Sequence, residues 1–194
     1  MTALAILDLG YGNVDSIRLA FGRLGVDAML ASDAEAAESA DRLVLPGVGA
    51  AGFAMKQLHD AGLVEVLKRR TRPLLGICLG MQLMFESSDE GDSQCLGLIP
   101  GRVRSLVPAP DRPVPHMGWT CLREARADSG LVAGDYVYFA HGFACDDGPA
   151  TSAWAEYGRP IPAALRQGHL WGAQFHPERS SQPGARFLQA FLQS

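Results

Sequence analysis

Charge is scarce in this 194-residue sequence: charged side chains make up 20% of it, and 17 basic residues are set against 21 acidic ones. A formal charge of −4 leaves no basic surface for neutralising phosphates, which excludes gripping nucleic acid as the main task. Cysteine is also sparse. Cys78, Cys95, Cys121 and Cys145 form no C-x-x-C pair and no metal-finger spacing. With 47% hydrophobic residues the chain fills a core without disulfide staples, so a reducing, cytoplasmic setting is expected. Long apolar runs are missing as well, since no window approaches the roughly 20 residues of a membrane span. The apolar stretch Met1 to Leu9 contains Asp8 and has no basic leader, and it reads as a strand instead of a signal. There is no internal repeat, and the 22 glycines and 12 prolines are scattered, which excludes collagen-like and low-complexity chains. One domain over 1–194 is expected.

Strands and helices alternate through the first half. Ala3 to Leu9 reads as a buried strand entering the turn Gly10-Tyr11-Gly12-Asn13, after which Ile17, Ala20, Phe21 and Leu24 recur at helical spacing until Gly25. Val26 to Leu30 and Arg42 to Leu45 are further strands around a short helix at Ala34 to Ser39. The second of these closes on Pro46-Gly47-Val48-Gly49, and a helix from Phe53 to Arg70, kinked at Gly62, follows. The cluster Lys68, Arg69, Arg70 and Arg72 before Pro73 fits a helix C-terminus, where cations complement the dipole. Pro73 to Ile77 is then a short apolar strand running straight into a helical pattern after Cys78. Such alternation predicts an open, doubly wound, mostly parallel α/β sheet with helices on both faces. From Gly101 the pattern turns strand-rich: Arg102 to Val107, Tyr136 to Ala140, Ser152 to Tyr157, Ala163 to Arg166 and Leu170 to Phe175. Antiparallel strands at one sheet edge would accommodate these. Pro108 to Pro115 is a loop, and Pro183 opens a last helix striped by Phe187, Leu188, Phe191 and Leu192.

Two motifs carry chemistry. Gly76-Ile77-Cys78-Leu79-Gly80 is the thiol counterpart of the G-x-S-x-G nucleophile elbow, in which a strained strand-to-helix turn lifts the central side chain above the sheet. A helix N-terminus there would favour thiolate. A buried cysteine with packing glycines would look the same, so the elbow needs a base. Gln174-Phe175-His176-Pro177-Glu178 supplies one at the end of another strand: in extended chain His176 and Glu178 point the same way, and the carboxylate can orient the imidazole. Strand ends of a parallel sheet meet on one rim, where Cys78, His176 and Glu178 would assemble as a triad. The turn Pro46 to Gly49 offers unhindered backbone N–H groups on the same rim, and its two glycines would let a peptide rotate between presenting a carbonyl and an N–H.

These stretches resemble the triad, or class I, glutamine amidotransferases. Gly10-Tyr11-Gly12-Asn13, Leu45-Pro46-Gly47-Val48-Gly49, Gly76-Ile77-Cys78-Leu79-Gly80-Met81-Gln82, Pro115-His116-Met117-Gly118-Trp119, Tyr138-Phe139-Ala140-His141 and Gln174-Phe175-His176-Pro177-Glu178 follow the family's order. The P-G-V-G and P-H-M-G-W stretches point to the branch that passes ammonia to a (β/α)8-barrel cyclase subunit, which forms imidazole glycerol phosphate and AICAR in histidine biosynthesis. The resemblance implies Cys78 as nucleophile, His176 as base and Glu178 as its orienter, with an oxyanion hole from the amides of Leu79 and the Val48–Gly49 segment. It implies glutamine binding by Gln82 and Glu90 with backbone from Gly49 and His141, Gly142 and Phe143. Asn13, Trp119, Tyr138 and Arg179, with His116 nearby, match positions toward the partner, although aromatic residues on strands are more often core. Thr120, Gly142 and Ala51 stand where the family commonly has an asparagine, a hydroxyl residue and an aromatic. No cofactor, metal, nucleic acid or membrane is expected. Two other readings stay open: a glutaminase feeding another ammonia acceptor, in amidino-sugar or pyridoxal phosphate synthesis, and a catalytically silent barrel-binding scaffold.

Overall fold

Side-chain alternation along the first strand sorts the interior into two cores. In β1 (Leu4–Leu7), Leu4 and Ile6 join one apolar cluster while Ala5 and Leu7 join another, one on each face of a sheet. The protein is described from a computed structural model covering residues 3–10 and 12–194; Tyr11 of the first turn, with Met1 and Thr2, lies outside the described residues. Helix α1 (Val14–Arg23) buries Val14, Ile17, Ala20 and Phe21, and Gly25 ends its turn at φ +79°. β2 (Met29–Ala31), α2 (Ala34–Ser39), capped by the Asp33 carboxylate on Ala36 N–H, and β3 (Arg42–Leu45) follow.

The helix expected over Phe53 to Arg70 is two, α3 (Ala51–Asp60) and α4 (Leu63–Arg69), because Gly62 adopts a left-handed conformation that separates them. Arg70, expected to serve the end of its own helix, turns inward. Its guanidinium donates to the carbonyls of Ala37, Ala40, Asp41 and Pro73 and so satisfies the C-terminal end of α2. Burial, chiefly, lowers its pKa to about 10.

β4 (Leu74–Ile77) leads through Cys78 into the single turn α5 (Leu79–Gln82), then to the two-residue strands β5 (Ser87–Ser88) and β6 (Ser93–Gln94) and to β7 (Arg102–Ser105). Next come β8 (His116–Ala125), β9 (Tyr136–His141), β10 (Phe143–Cys145), β11 (Thr151–Glu156), β12 (Pro160–Gln167) and β13 (Leu170–Ala173). α6 (Ser181–Leu192) buries Gly184, Phe187, Leu188 and Phe191 and sets Phe187 and Phe191 edge-on to Trp171.

The main sheet runs β2-β1-β3-β4-β13-β12-β11-β8-β9, parallel from β2 to β13 and antiparallel from there to β9. The α/β fold expected from the sequence is this one, with its antiparallel strands gathered on one side. Several details differ, among them that β2 begins at Met29 instead of Val26. β8 is a ten-residue strand not expected from the sequence, and β10, β7, β5 and β6 form a separate small sheet. The strand before the H-P-E stretch stops at Ala173, and Pro177–Arg179 is a 3-10 turn instead of extended chain. What matters for the site is polarity: β1, β3, β4 and β13 are parallel, so their C-terminal ends share one rim.

Candidate active site

The G-x-C-x-G glycines are dictated by contact. A Cβ on Gly80 would lie 1.8 Å from the Leu45 carbonyl oxygen, and one on Gly76 would lie 2.6 Å from that of Gly80. Any larger side chain would push α5 away from β3, at Gly80, or from β4, at Gly76. Between them Cys78 holds φ 54° and ψ −111°, a strained conformation for a residue with a side chain, stabilised by its N–H donating to Ala173 O at 2.7 Å. α5 is a single turn, so its dipole is a minor influence on the thiol. The groups around the sulfur matter more. Cys78 Sγ lies 3.8 Å from Ala140 O and 3.9 Å from Gln174 Nε2.

His176 Nδ1 lies 2.9 Å from Glu178 Oε1, whose side chain is only 1% exposed. The two meet through the 3-10 turn, a different route from the extended one anticipated. Ser180 fixes that turn, donating to His176 O at 2.7 Å and accepting from Tyr138 N–H at 2.9 Å. Burial, the largest single influence on His176, disfavours its charged form. Hydrogen bonds to Cys78 and Glu178, with their charges, outweigh it and push the imidazole up to about 10. The two neighbours thus favour the charged imidazole.

A cleft of about 410 Å³ opens over this pair, lined by Asn13, Val48, Gly49, Cys78, Leu79, Gln82, Glu90, His141, Gly142, Phe143, His176 and Arg179, among others. Glu178 stands behind His176. All the residues anticipated for the triad, oxyanion hole and glutamine binding are therefore gathered around one cleft. The two glycines of the P-G-V-G turn differ in kind. Gly49, at φ +87° with open space around it, has conformational freedom, whereas a Cβ on Gly47 would meet Gly80 N at 2.7 Å. Glu90 accepts from Ala51 N–H at 2.8 Å and so caps α3, whose N-cap Ala50 has no oxygen to offer. Gln82 donates from Nε2 to Phe143 O and to Gln174 Oε1, both at 2.9 Å.

Trp119 and Tyr138 lie outside the cleft lining. They are register partners on β8 and β9, packed edge to face with centroids 6.1 Å apart, and the Arg179 guanidinium sits 4.3 Å above the Tyr138 ring. Trp119 is 52% exposed, which is a surface position and not a core one. His116 is different: it is buried, stacked on Tyr157 and Phe139, and hydrogen-bonded to His141 and Thr120, so it belongs to the interior and not to a docking surface. Burial above all lowers both His116 and His141 to about 4. Gln174 is not among the site residues expected from the sequence, and His116 is expected there only toward the partner. The available signal for Gln174 is its place two residues before His176, which in the extended chain expected from the sequence would put both on one side. Among the described residues no cluster of histidine, cysteine and carboxylate groups could hold a metal ion.

The family model for class-I glutamine amidotransferases matches residues 5–194. The chain belongs to this family. Among class-I glutamine amidotransferases it is 50% identical, over 196 residues that span 100% of this chain and 98% of the relative, to the imidazole glycerol phosphate synthase subunit HisH of Xylella fastidiosa. The protein of the same name from Xanthomonas axonopodis pv. citri is 50% identical with the same coverage. A crystal structure of a glutamine amidotransferase matches with a TM-score of 0.78 at 23% identity, covering 98% of each chain. The structure of PurLQS from Thermotoga maritima matches with a TM-score of 0.70 at 15% identity, over 100% of this chain and 99% of that one. Both share the fold of this amidotransferase.

Proposed function

We infer that this chain hydrolyses L-glutamine to glutamate and ammonia and passes the ammonia to a (β/α)8-barrel cyclase subunit that forms imidazole glycerol phosphate and AICAR in histidine biosynthesis. One observation carries the chemistry: a thiol on a strained elbow shares a cleft with an imidazole whose other nitrogen is held 2.9 Å from a buried carboxylate. Cys78 thiolate attacks the carboxamide carbon of glutamine. The carbonyl oxygen becomes an oxyanion that accepts hydrogen bonds from backbone N–H groups of Leu79 and the Val48–Gly49 segment. His176 gives its proton to the departing nitrogen, ammonia leaves, and a glutamyl thioester remains on Cys78. His176, now neutral, takes a proton from water, whose oxygen attacks the thioester; the sulfur leaves as thiolate and glutamate is released. Glu178 keeps the imidazole in the tautomer that both steps need. Gln82 and Glu90, with backbone from Gly49 and from His141 to Phe143, hold the amino acid head group.

The relatives named as imidazole glycerol phosphate synthase subunits supply the acceptor, and they favour the histidine branch over amidino-sugar or pyridoxal phosphate synthesis. Residues 1–194 act as one amidotransferase domain. The exposed Trp119 and half-buried Tyr138, with Asn13 and Arg179, form the surface that meets the barrel. The four free thiols suit the cytoplasm, and among the described residues no helix is long and apolar enough to cross a membrane. Ammonia released without an acceptor is lost, so the free chain should be a poor glutaminase. Rotation of the peptide at Gly49 would remove one oxyanion donor, at a cost of about 10²- to 10³-fold in turnover. Glutaminase turnover of the free chain, the complex, and the complex carrying the cyclase's ligand tests both ideas. A rise of that order on completing the liganded complex is expected. No hydrolysis in any of the three would overturn the catalytic reading, and a free chain as fast as the liganded complex would overturn the gating.

A further inference from the structure

The hydrogen bonds that end at Cys78 have a fixed polarity, and an atom that can only accept sets it. The Phe143 carbonyl lies 2.7 Å from His141 Nδ1 and 2.9 Å from Gln82 Nε2. Both nitrogens must donate, which fixes the tautomer of one side chain and the amide orientation of the other. The second hydrogen on Gln82 Nε2 goes to Gln174 Oε1 at 2.9 Å. Gln174 therefore turns its own NH2 group toward Cys78 Sγ, 3.9 Å away. A flipped amide would set an oxygen against the sulfur and lose the bond to Gln82.

A second run of hydrogen bonds converges on the same carbonyl from the other side and obeys the same logic. With its proton on Nδ1, neutral His141 has a lone pair on Nε2, and this faces His116 Nδ1 at 3.0 Å. His116 Nδ1 must therefore carry the hydrogen, and its Nε2 accepts from the Thr120 hydroxyl at 2.8 Å. Burial, which lowers both histidines to about 4, keeps the pair neutral near pH 7. His176 and the Arg159 cation also bear on His141 and act in the same sense. Thr120 occupies a position where the resemblance led us to expect an asparagine, and its hydroxyl supplies the donor that closes this second run.

We propose that Gln174 is a positioning residue for the nucleophile, held with its NH2 against the Cys78 sulfur by Gln82, whose amide is fixed in turn by the Phe143 carbonyl. The proposal rests on the reading of Cys78 as nucleophile and adds the group that stabilises its thiolate opposite His176. It also says what Gln82 can offer the substrate. Both hydrogens of its amide nitrogen are spoken for, and its Oε1 has no protein partner among the described residues. That leaves an acceptor, suited to the ammonium group of glutamine and not to its carboxylate.

The test is the pH profile of Cys78 alkylation by iodoacetamide in the full-length chain, with the adduct located by peptide mass spectrometry, for wild type, Gln174→Met and Gln174→Glu. Losing a hydrogen bond to a charged group should raise the midpoint by about one pH unit in Gln174→Met and lower glutaminase kcat/KM about ten- to a hundredfold. Gln174→Glu, which sets a carboxylate against the sulfur, should raise the midpoint further. A role limited to packing would lower stability and leave the profile in place, so profiles that coincide with wild type overturn the proposal. If Cys78 in the wild type is no more reactive than the other cysteines, the triad reading itself fails, and the proposal with it. Should neither variant fold, NMR of the wild type decides: the side-chain NH2 signals of Gln174 are expected to shift with pH through the Cys78 alkylation midpoint, and signals that do not respond there overturn the proposal.

Discussion

Lowering the pH from 7.5 to 4.5 should destabilise this protein through two residues. His116 and His141 each have a pKa near 4 in the folded protein, against 6.5 for an ordinary histidine. Between those values the unfolded chain binds protons that the native state refuses, so stability falls as the pH falls. For one such histidine the loss at pH 4.5 is about 2.5 kcal/mol. The two share a hydrogen bond, so their costs do not simply add, and the pair should lose between about 2.5 and 5 kcal/mol. His176 works in the opposite sense. Its pKa is raised to about 10, so its contribution is fully present below 6.5 and is lost only as the pH rises through 10. The exposed carboxylates of Asp60 and Asp89, each lowered first of all by a side-chain hydrogen bond, to Lys56 and Arg102 respectively, begin to lose theirs only below 3.8. The window from 6.5 to 4.5 therefore isolates the histidine pair. Urea unfolding at pH 7.5, 6.5, 5.5 and 4.5 measures it. The double variant His116→Asn/His141→Asn, which keeps a donor near each Nδ1 and cannot titrate, should flatten the profile. A wild type equally stable at 6.5 and 4.5, or a double variant with the wild-type slope, would refute the reasoning.

Three further outcomes are expected. Cys78→Ala should abolish glutamine hydrolysis, by at least about a thousandfold, while changing stability by no more than about 1 kcal/mol; because the thiol helps to hold up the His176 pKa, NMR titration should also find its midpoint lowered. Gly80→Ala should prevent folding or lower stability by more than about 4 kcal/mol in urea unfolding, since the new Cβ would sit 1.8 Å from Leu45 O; a loss under about 1 kcal/mol would mean the elbow yields easily. Arg70→Met should lower stability by about 2–4 kcal/mol at unchanged glutaminase activity, because four carbonyls lose a buried cationic donor.

The elbow and the alternation of strands and helices were legible because each is imposed locally. Backbone contacts at Gly76 and Gly80 and strain at Cys78 admit few residue types, and buried parallel strands such as Leu74–Ile77 are plain apolar runs. β8 was hidden for the opposite reason. Its burial does not alternate along His116 to Ala125, Gly118 interrupts it at φ +133°, and its pairing with β11 shifts register. β5 and β6, two residues each, have no period to detect. Arg70 carried a correct local signal, a cation near a helix end, but which helix it serves depends on α2 packing against α4. Gln174 lies in the stretch before His176, yet its place there assigns it no role. Its role depends on Gln82 and Phe143, distant in sequence and met only once β10 has folded over α5.

The contact of Gly47 with the elbow has a mechanical consequence. Gly47, Gly76 and Gly80 are wedged together with the Leu45 carbonyl, leaving no room for a methyl group at any of the three positions. They form a fixed bearing on which the chain leaves β3. Movement in the turn must start after Gly47, which leaves Val48 and Gly49 as a crank of two residues. Val48 is 42% exposed at the cleft mouth and Gly49 has empty space around it. A push on the Val48 side chain would be delivered to the very next peptide, with little backbone between handle and load to absorb it.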